Sequence, residues 1–312
     1  MKFQLSLPSK KESIIVVVIT AVIIALTAIF VGYRPEHNLM FGLFLVLFFA
    51  SDFTRKLAVA LIPFIVFGLS YDWMRVYPNY MVNPIDVEGL YNLEKKWFGF
   101  ESDGQILIPN EFFAIHYNSI MDFFAGIFYL TWVPVPIAFG IYLYFKKQRK
   151  IYLQFALVFL FVNLIGFAGY YIHPAAPPWY AMKYGFEPIL NTPGNTAGLG
   201  RFDALLGVSI FDSIYGRNAN VFAAVPSLHS AYMVVALFYA IKNRSNLAIL
   251  ITLTILMFGI WFTAVYSYHH YIIDVLLGIF CALLGIALFE LVLMRLGWFR
   301  KFFDRYYNYI KE

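Results

Sequence analysis

Apolar residues along this chain come in long unbroken runs, not in the short alternations of half-buried strands. Residues 14–31 (IIVVVITAVIIALTAIFV) carry no charge over eighteen positions, and 247–266 carry none over twenty. Runs of that length cross a hydrocarbon layer of about 30 Å as helices. Polar punctuation predicts eight helices, at about 14–32, 38–52, 56–71, 119–145, 151–172, 224–241, 246–266 and 270–294. The second and third are short, and Ser51-Asp52-Phe53-Thr54-Arg55-Lys56 between them reads as a tight turn at the membrane surface. The first run follows Lys10 and Lys11 as a signal-peptide core would, but it exceeds the usual ~7–15 residues. Gly32-Tyr33-Arg34-Pro35 after it is no cleavage site, so the segment reads as a retained helix.

Composition agrees: 61% of residues are hydrophobic and only 13% charged, against about a quarter charged in soluble domains. The net charge of +5 raises the possibility of a nucleic-acid partner, but membrane orientation explains it better. With a cytoplasmic N-terminus, sixteen of the 23 Lys and Arg fall on the inner side. Only Arg34, Arg75, Lys95, Lys96, Lys183, Arg201 and Arg217 fall outside. The single cysteine, Cys281, sits in an apolar run and reads as a small buried hydrophobe.

That orientation gives the outer side two long connections, 72–118 and 173–223, while the inner connections are short. Long connections with little helix or strand patterning tend to be functional. In the first, Trp73, Tyr77, Tyr80, Tyr91, Trp97 and Phe98 mixed with charges read as interfacial helices lying on the membrane. His37 and His116, in or beside outer connections, read as solvated surface residues.

The remaining histidines, His173, His229, His269 and His270, all fall at outer helix ends, where ionisable groups near apolar runs are functional candidates. His270 and Asp274, four apart at the start of the last helix, share a face. A carboxylate there fixes the imidazole tautomer and frees the other nitrogen to attack. His269 points about 100° away and lacks that support. In "FAAVPSLHSAYM" (222–233), Pro226 suits a first helical turn, and Ser227 with the following N–H groups forms a receptor for phosphate beside His229. Together these residues fit phosphoryl transfer through a phosphohistidine, one histidine attacking phosphorus and the other protonating the leaving oxygen. A metal site built from His229, His269, His270 and Asp274 is the rival chemistry, and the spacing suits it less well.

Pro226-Ser227-Leu228-His229 and His270-x3-Asp274 resemble the P-S-G-H and S-R-x5-H-x3-D motifs of the type 2 phosphatidic acid phosphatase superfamily. The resemblance implies an all-α polytopic membrane protein with a six-helix core, here preceded by about two additional N-terminal helices, and no metal or other cofactor. It makes His270 the nucleophile, Asp274 its partner and His229 the general acid. Ala264 stands where that family places an arginine and Thr263 where it places a serine. In the first motif, Gly166 and His173-Pro174 take the lysine and arginine-proline places. Three phosphate-binding cations are thus missing.

"LEKKWFG" (93–99), "HPAAPPWY" (173–180), "NTPGNTAGLGRFDALLG" (191–207), "VFAAVPSLHSA" (221–231) and "YSYHHYIIDVLLG" (266–278) resemble the inositol phosphorylceramide synthase branch more narrowly. The resemblance spans about residues 90–280. It implies N-terminal helices over 1–75 and a catalytic domain over 76–312. It further implies transfer of phosphoinositol from a phospholipid donor to a lipid alcohol such as ceramide, at a site facing the periplasm or an organelle lumen. A phosphodiester carries one negative charge, so fewer cations suffice. Arg201, His173, Lys183 and Arg217, with Ser227, are the candidates to bind it. A contact between Arg201 and Asp203 that braces the loop is the structural alternative for Arg201. The rival functions are a lipid phosphatase, in which water resolves the same intermediate, and a transporter.

Overall fold

The structure is a computed structural model that describes residues 7–216 and 220–311. The chain divides into two compact units, one formed by 1–77, 140–160 and 289–312, the other by 78–139 and 161–288.

In the first unit, α1 (Lys10–Phe30) begins earlier than the apolar run because Ser9 and Glu12 form a capping box. α2 (Pro35–Ala50) and α3 (Asp52–Ala60) meet at Ser51, whose hydroxyl accepts the Thr54 N–H, so the expected tight turn is present. The predicted helix at 56–71 is broken. α4 (Ile62–Trp73) follows α3 at a bend of 44°, with Pro63 in its first turn removing a donor from the ladder. Phe64 and Phe67 pack against Phe155 and Phe159. His37 corrects the expectation of a solvated residue. It is buried, and its Nε2 lies 2.9 Å from Asp72, which also binds Arg34. His116 is exposed and stacks on Phe112.

The two segments expected on the outer side have more structure than their sequence predicts. The first contains α5 (Glu88–Phe98), a hairpin of β1 (Phe100–Ser102) and β2 (Gln105–Leu107), and α6 (Pro109–Ile115). Asp103-Gly104 turns the hairpin with positive φ at both residues, the signature of a two-residue hairpin turn. α7 (Ser119–Leu130) and α8 (Pro134–Phe145) form one bent pair, and α9 (Arg149–Ile172) is a continuous 24-residue helix. The second outer segment holds α10 (Pro178–Tyr184), α11 (Gly200–Leu206) and α12 (Ile210–Tyr215). It is followed by α13 (Leu228–Lys242), α14 (Leu247–Tyr266) and α15 (Ile272–Ala287), and the chain ends in the amphipathic α16 (Gly297–Ile310).

Among the described residues, four helices are long and apolar enough to cross a membrane, or up to six if each bent pair is one span. The chain is an all-α, multi-pass membrane protein.

The first outer segment does not simply lie on a membrane surface. Leu90 and Ile108 are buried against Ala224, Val225, Tyr271 and Ile273, so this segment is packed onto both motif-bearing stretches. Backbone bonds lace 86 to 174–176 and 175 to 222–224.

Candidate active site

The chain leaves α14 at Tyr266 and turns so that the Ala264 carbonyl accepts the N–H groups of both His269 (3.1 Å) and His270 (2.9 Å). α15 begins only at Ile272, so His270 lies before the helix and not on its face. The expected pair forms by a different route. Asp274 folds back over the helix start, its Oδ2 accepting the Tyr271 N–H (3.0 Å) and standing 3.3 Å from His270 Nδ1.

α13 likewise starts later than predicted, at Leu228, with Ser227 as N-cap and Pro226 ahead of the cap. Ser227 is fully buried, and its N–H donates to the Asp274 carbonyl (3.0 Å). The two motif stretches therefore bond to each other directly. Gly278 on α15 allows this approach, because a Cβ there would stand 2.0 Å from the Ser227 carbonyl oxygen. His229 Nδ1 comes to 3.0 Å from His270 Nε2. The ring faces of His229 lie against Tyr129 and Trp132, at centroid distances of 4.9 and 4.3 Å. Burial pushes the His270 imidazole down to about 3 and keeps it neutral. Its Nδ1 faces Asp274 and its Nε2 faces His229.

His269 turns the other way. Its Nε2 lies 2.9 Å from the Thr196 carbonyl, and its ring stacks between Tyr215 and Tyr129. It ties down the second outer segment and does not join His229 and His270, so the rival metal set does not converge.

The predicted cations are less uniform. Arg201 Nε donates to Asp122 (2.7 Å), its guanidinium sits among the rings of Tyr117, Tyr266 and Tyr268, and its buried Nη2 has no hydrogen-bond partner among the described residues. Asp203 is not its partner. That carboxylate accepts the N–H groups of Phe211 and Asp212 at the start of α12. His173 is half-exposed, with Nε2 3.2 Å from Asp86. Lys183 is exposed, its ammonium 5.1 Å from the Tyr184 ring centroid, and no described contact ties it to the histidines. Arg217 lies outside the described residues.

Comparison with known proteins identifies the family. Residues 101–288 match the family model described as the PAP2 superfamily. The chain belongs to the PAP2 superfamily. It is 68% identical to a phosphoinositol dihydroceramide synthase of Bacteroides thetaiotaomicron over 98% of this chain and the whole of that protein. It is 26% identical to the inositol phosphorylceramide synthase catalytic subunit AUR1 of Saccharomyces cerevisiae, over 77% of this chain and 58% of the yeast protein. An inositol phosphorylceramide synthase of Candida albicans is 32% identical over 44% of this chain and 28% of that protein. No solved structure matches.

Within the PAP2 frame, two of the missing cations have a spatial explanation. Ala264, in the arginine place, is fully buried among Tyr129, Phe202 and Val275. Gly166, in the lysine place, faces Leu228, whose Cδ2 would stand 2.5 Å from a Cβ there. Leu228 itself replaces the glycine of the P-S-G-H motif, so a bulky residue on α13 is matched by a small one on α9.

Sequence reasoning gave no role to four polar residues, among them Glu94 of "LEKKWFG". Asn79 Nδ2 donates to the carbonyls of Tyr170 and Phe222, and Asn110 Nδ2 to those of Val265 and His270. Glu94 accepts from Ile272 and Ile273, and Asp122 accepts from Arg201 and Tyr266. Asp122 had a legible signal, an acid at the start of an apolar run. The other three lie in a mixed polar-aromatic stretch where nothing marks burial in advance.

Proposed function

We propose that this membrane phosphotransferase moves a phosphoinositol headgroup from phosphatidylinositol to ceramide or dihydroceramide through a phosphohistidine on His270. The observation that carries the reading is the linear set Asp274–His270–His229, with contacts of 3.3 and 3.0 Å. Asp274 holds the proton on His270 Nδ1, which leaves Nε2 as the nucleophile.

In the first half-reaction the donor phosphorus enters between the two rings and replaces their mutual contact. His270 Nε2 attacks phosphorus, the bond to the diacylglycerol oxygen breaks, and His229, entering as the imidazolium, gives its Nδ1 proton to that oxygen and becomes neutral. In the second, the acceptor hydroxyl gives its proton to His229 while its oxygen attacks phosphorus and the N–P bond breaks. The name of the full-length bacterial relative favours a dihydroceramide acceptor. A diester with a single charge also fits a site whose arginine and lysine places hold Ala264 and Gly166. The excess of Lys and Arg on the inner side of the expected topology supports an outer-face site, periplasmic in a bacterium.

Purified protein given labelled phosphatidylinositol should form a lipid product only when ceramide is present. His270→Ala and Asp274→Ala should each lower that product by about 10³-fold or more while the protein still expresses and folds. Release of inositol phosphate without any acceptor product would make the chain a hydrolase instead.

A further inference from the structure

Glu94 is fully buried on α5, far in sequence from either motif. Its Oε1 accepts the N–H of Ile272 at 2.9 Å and its Oε2 that of Ile273 at 3.1 Å. These are the first two N–H groups of α15, and the preceding one, on Tyr271, is taken by Asp274. Helix starts leave such donors unpaired, and they attract anions. Here two carboxylates from different parts of the chain satisfy three of them in succession. One residue before this start stands His270, whose carbonyl is held in turn by Asn110.

We propose that Glu94 is a positioning residue for the phosphoryl transfer. Its carboxylate, fixed on the start of α15, sets the placement of the turn that carries His270 and Asp274, and it closes that helix start to the phosphate of the substrate. The phosphate is left with the start of α13, beside His229. Burial holds the Glu94 carboxyl up to about 7, with Asp274 adding to the same effect and the two N–H bonds opposing it. Retaining a carboxyl group at such a buried position has a cost, and the two donors at the helix start supply the compensation.

The role rests on His270 being the nucleophile. A shift of about 1 Å in a reacting group can cost about 10²-fold in rate, so the effect belongs in kcat.

In the phosphatidylinositol and ceramide assay, Glu94→Gln should lower kcat about 10- to 100-fold and leave the KM for phosphatidylinositol within about twofold. The amide keeps one acceptor but turns a donor toward the other N–H. Ile272→Pro removes the first donor at a helix position that proline tolerates and should lower kcat about 3- to 10-fold. The double variant should be little worse than Glu94→Gln alone, because both changes break one interaction. Wild-type kcat in a folded Glu94→Gln protein, a loss confined to KM, or fully additive losses would each overturn the role. If Glu94→Gln does not fold, Ile272→Pro with unchanged kcat overturns it. Turnover by His270→Ala would overturn the nucleophile assignment and this role with it, whereas an inactive His270→Ala beside a wild-type-like Glu94→Gln overturns Glu94 alone.

Discussion

His269 and His270 are consecutive, yet their imidazoles serve different neighbours. Both N–H groups bond to the Ala264 carbonyl, and the rings then diverge, one to Thr196 and one to Asp274. Losing the His269 hydrogen bond and its two ring contacts should cost roughly 1–3 kcal/mol. His269→Ala should therefore melt several degrees lower in detergent and keep measurable turnover, unlike His270→Ala. Equal inactivation with an unchanged melting temperature would give His269 a chemical role. The spacing of His270 and Asp274 was legible because the two are close in sequence. The same spacing misjudged how they meet, because a helix cap, formed by a tertiary turn, replaces the shared helical face.

At the scale of elements, the site depends on how closely α15 lies over the start of α13. Gly278→Ala would place a methyl 2.0 Å from the Ser227 backbone oxygen, which has no flexible end to yield. The helices must separate, carrying Asp274 away from its Ser227 bond, and activity should fall about 10²-fold or more. Gly285→Ala on the same helix meets the Val162 side chain instead, so it should lower stability more than turnover. Measuring kcat and melting temperature for both variants separates the two effects, and equal loss of turnover in both would contradict it. The helices themselves were readable from apolar runs. Their breaks and starts were less so, since Pro63 interrupts an apolar run and Ser9 begins a helix before one.

For the whole molecule, the proposed orientation, with the site-bearing segments on the outer face, rests on the charge bias. α13 makes this testable within one unit. His229 stands in its first turn and Lys242 at its end, about 20 Å apart at 1.5 Å per residue. In a Cys281→Ala background, Glu101→Cys on the exposed hairpin should react with an impermeant maleimide in spheroplasts. Lys242→Cys should react only after permeabilisation, and the reverse pattern would invert the orientation. The outer segments also show where pattern reading stops. Asn79, Glu94 and Asn110 sit among aromatics and charges that look interfacial, yet each is buried on a backbone group of a motif stretch.

By itself the sequence determined the membrane-spanning helices, the two motif stretches and the identity of the His-Asp pair. Apolar length and short-range spacing are local properties, and a bilayer or a helix turn reads them without reference to the rest of the chain. Only the tertiary structure decided that His229 faces His270, that Leu228 packs against Gly166 while Ala264 is buried among Tyr129 and Phe202, and that Glu94 and Asn110 bond to the backbone around His270. Those are contacts between residues more than forty, and up to about 180, positions apart. Burial chooses such partners by the space and unpaired backbone groups that packing leaves, and no periodicity in the chain records them.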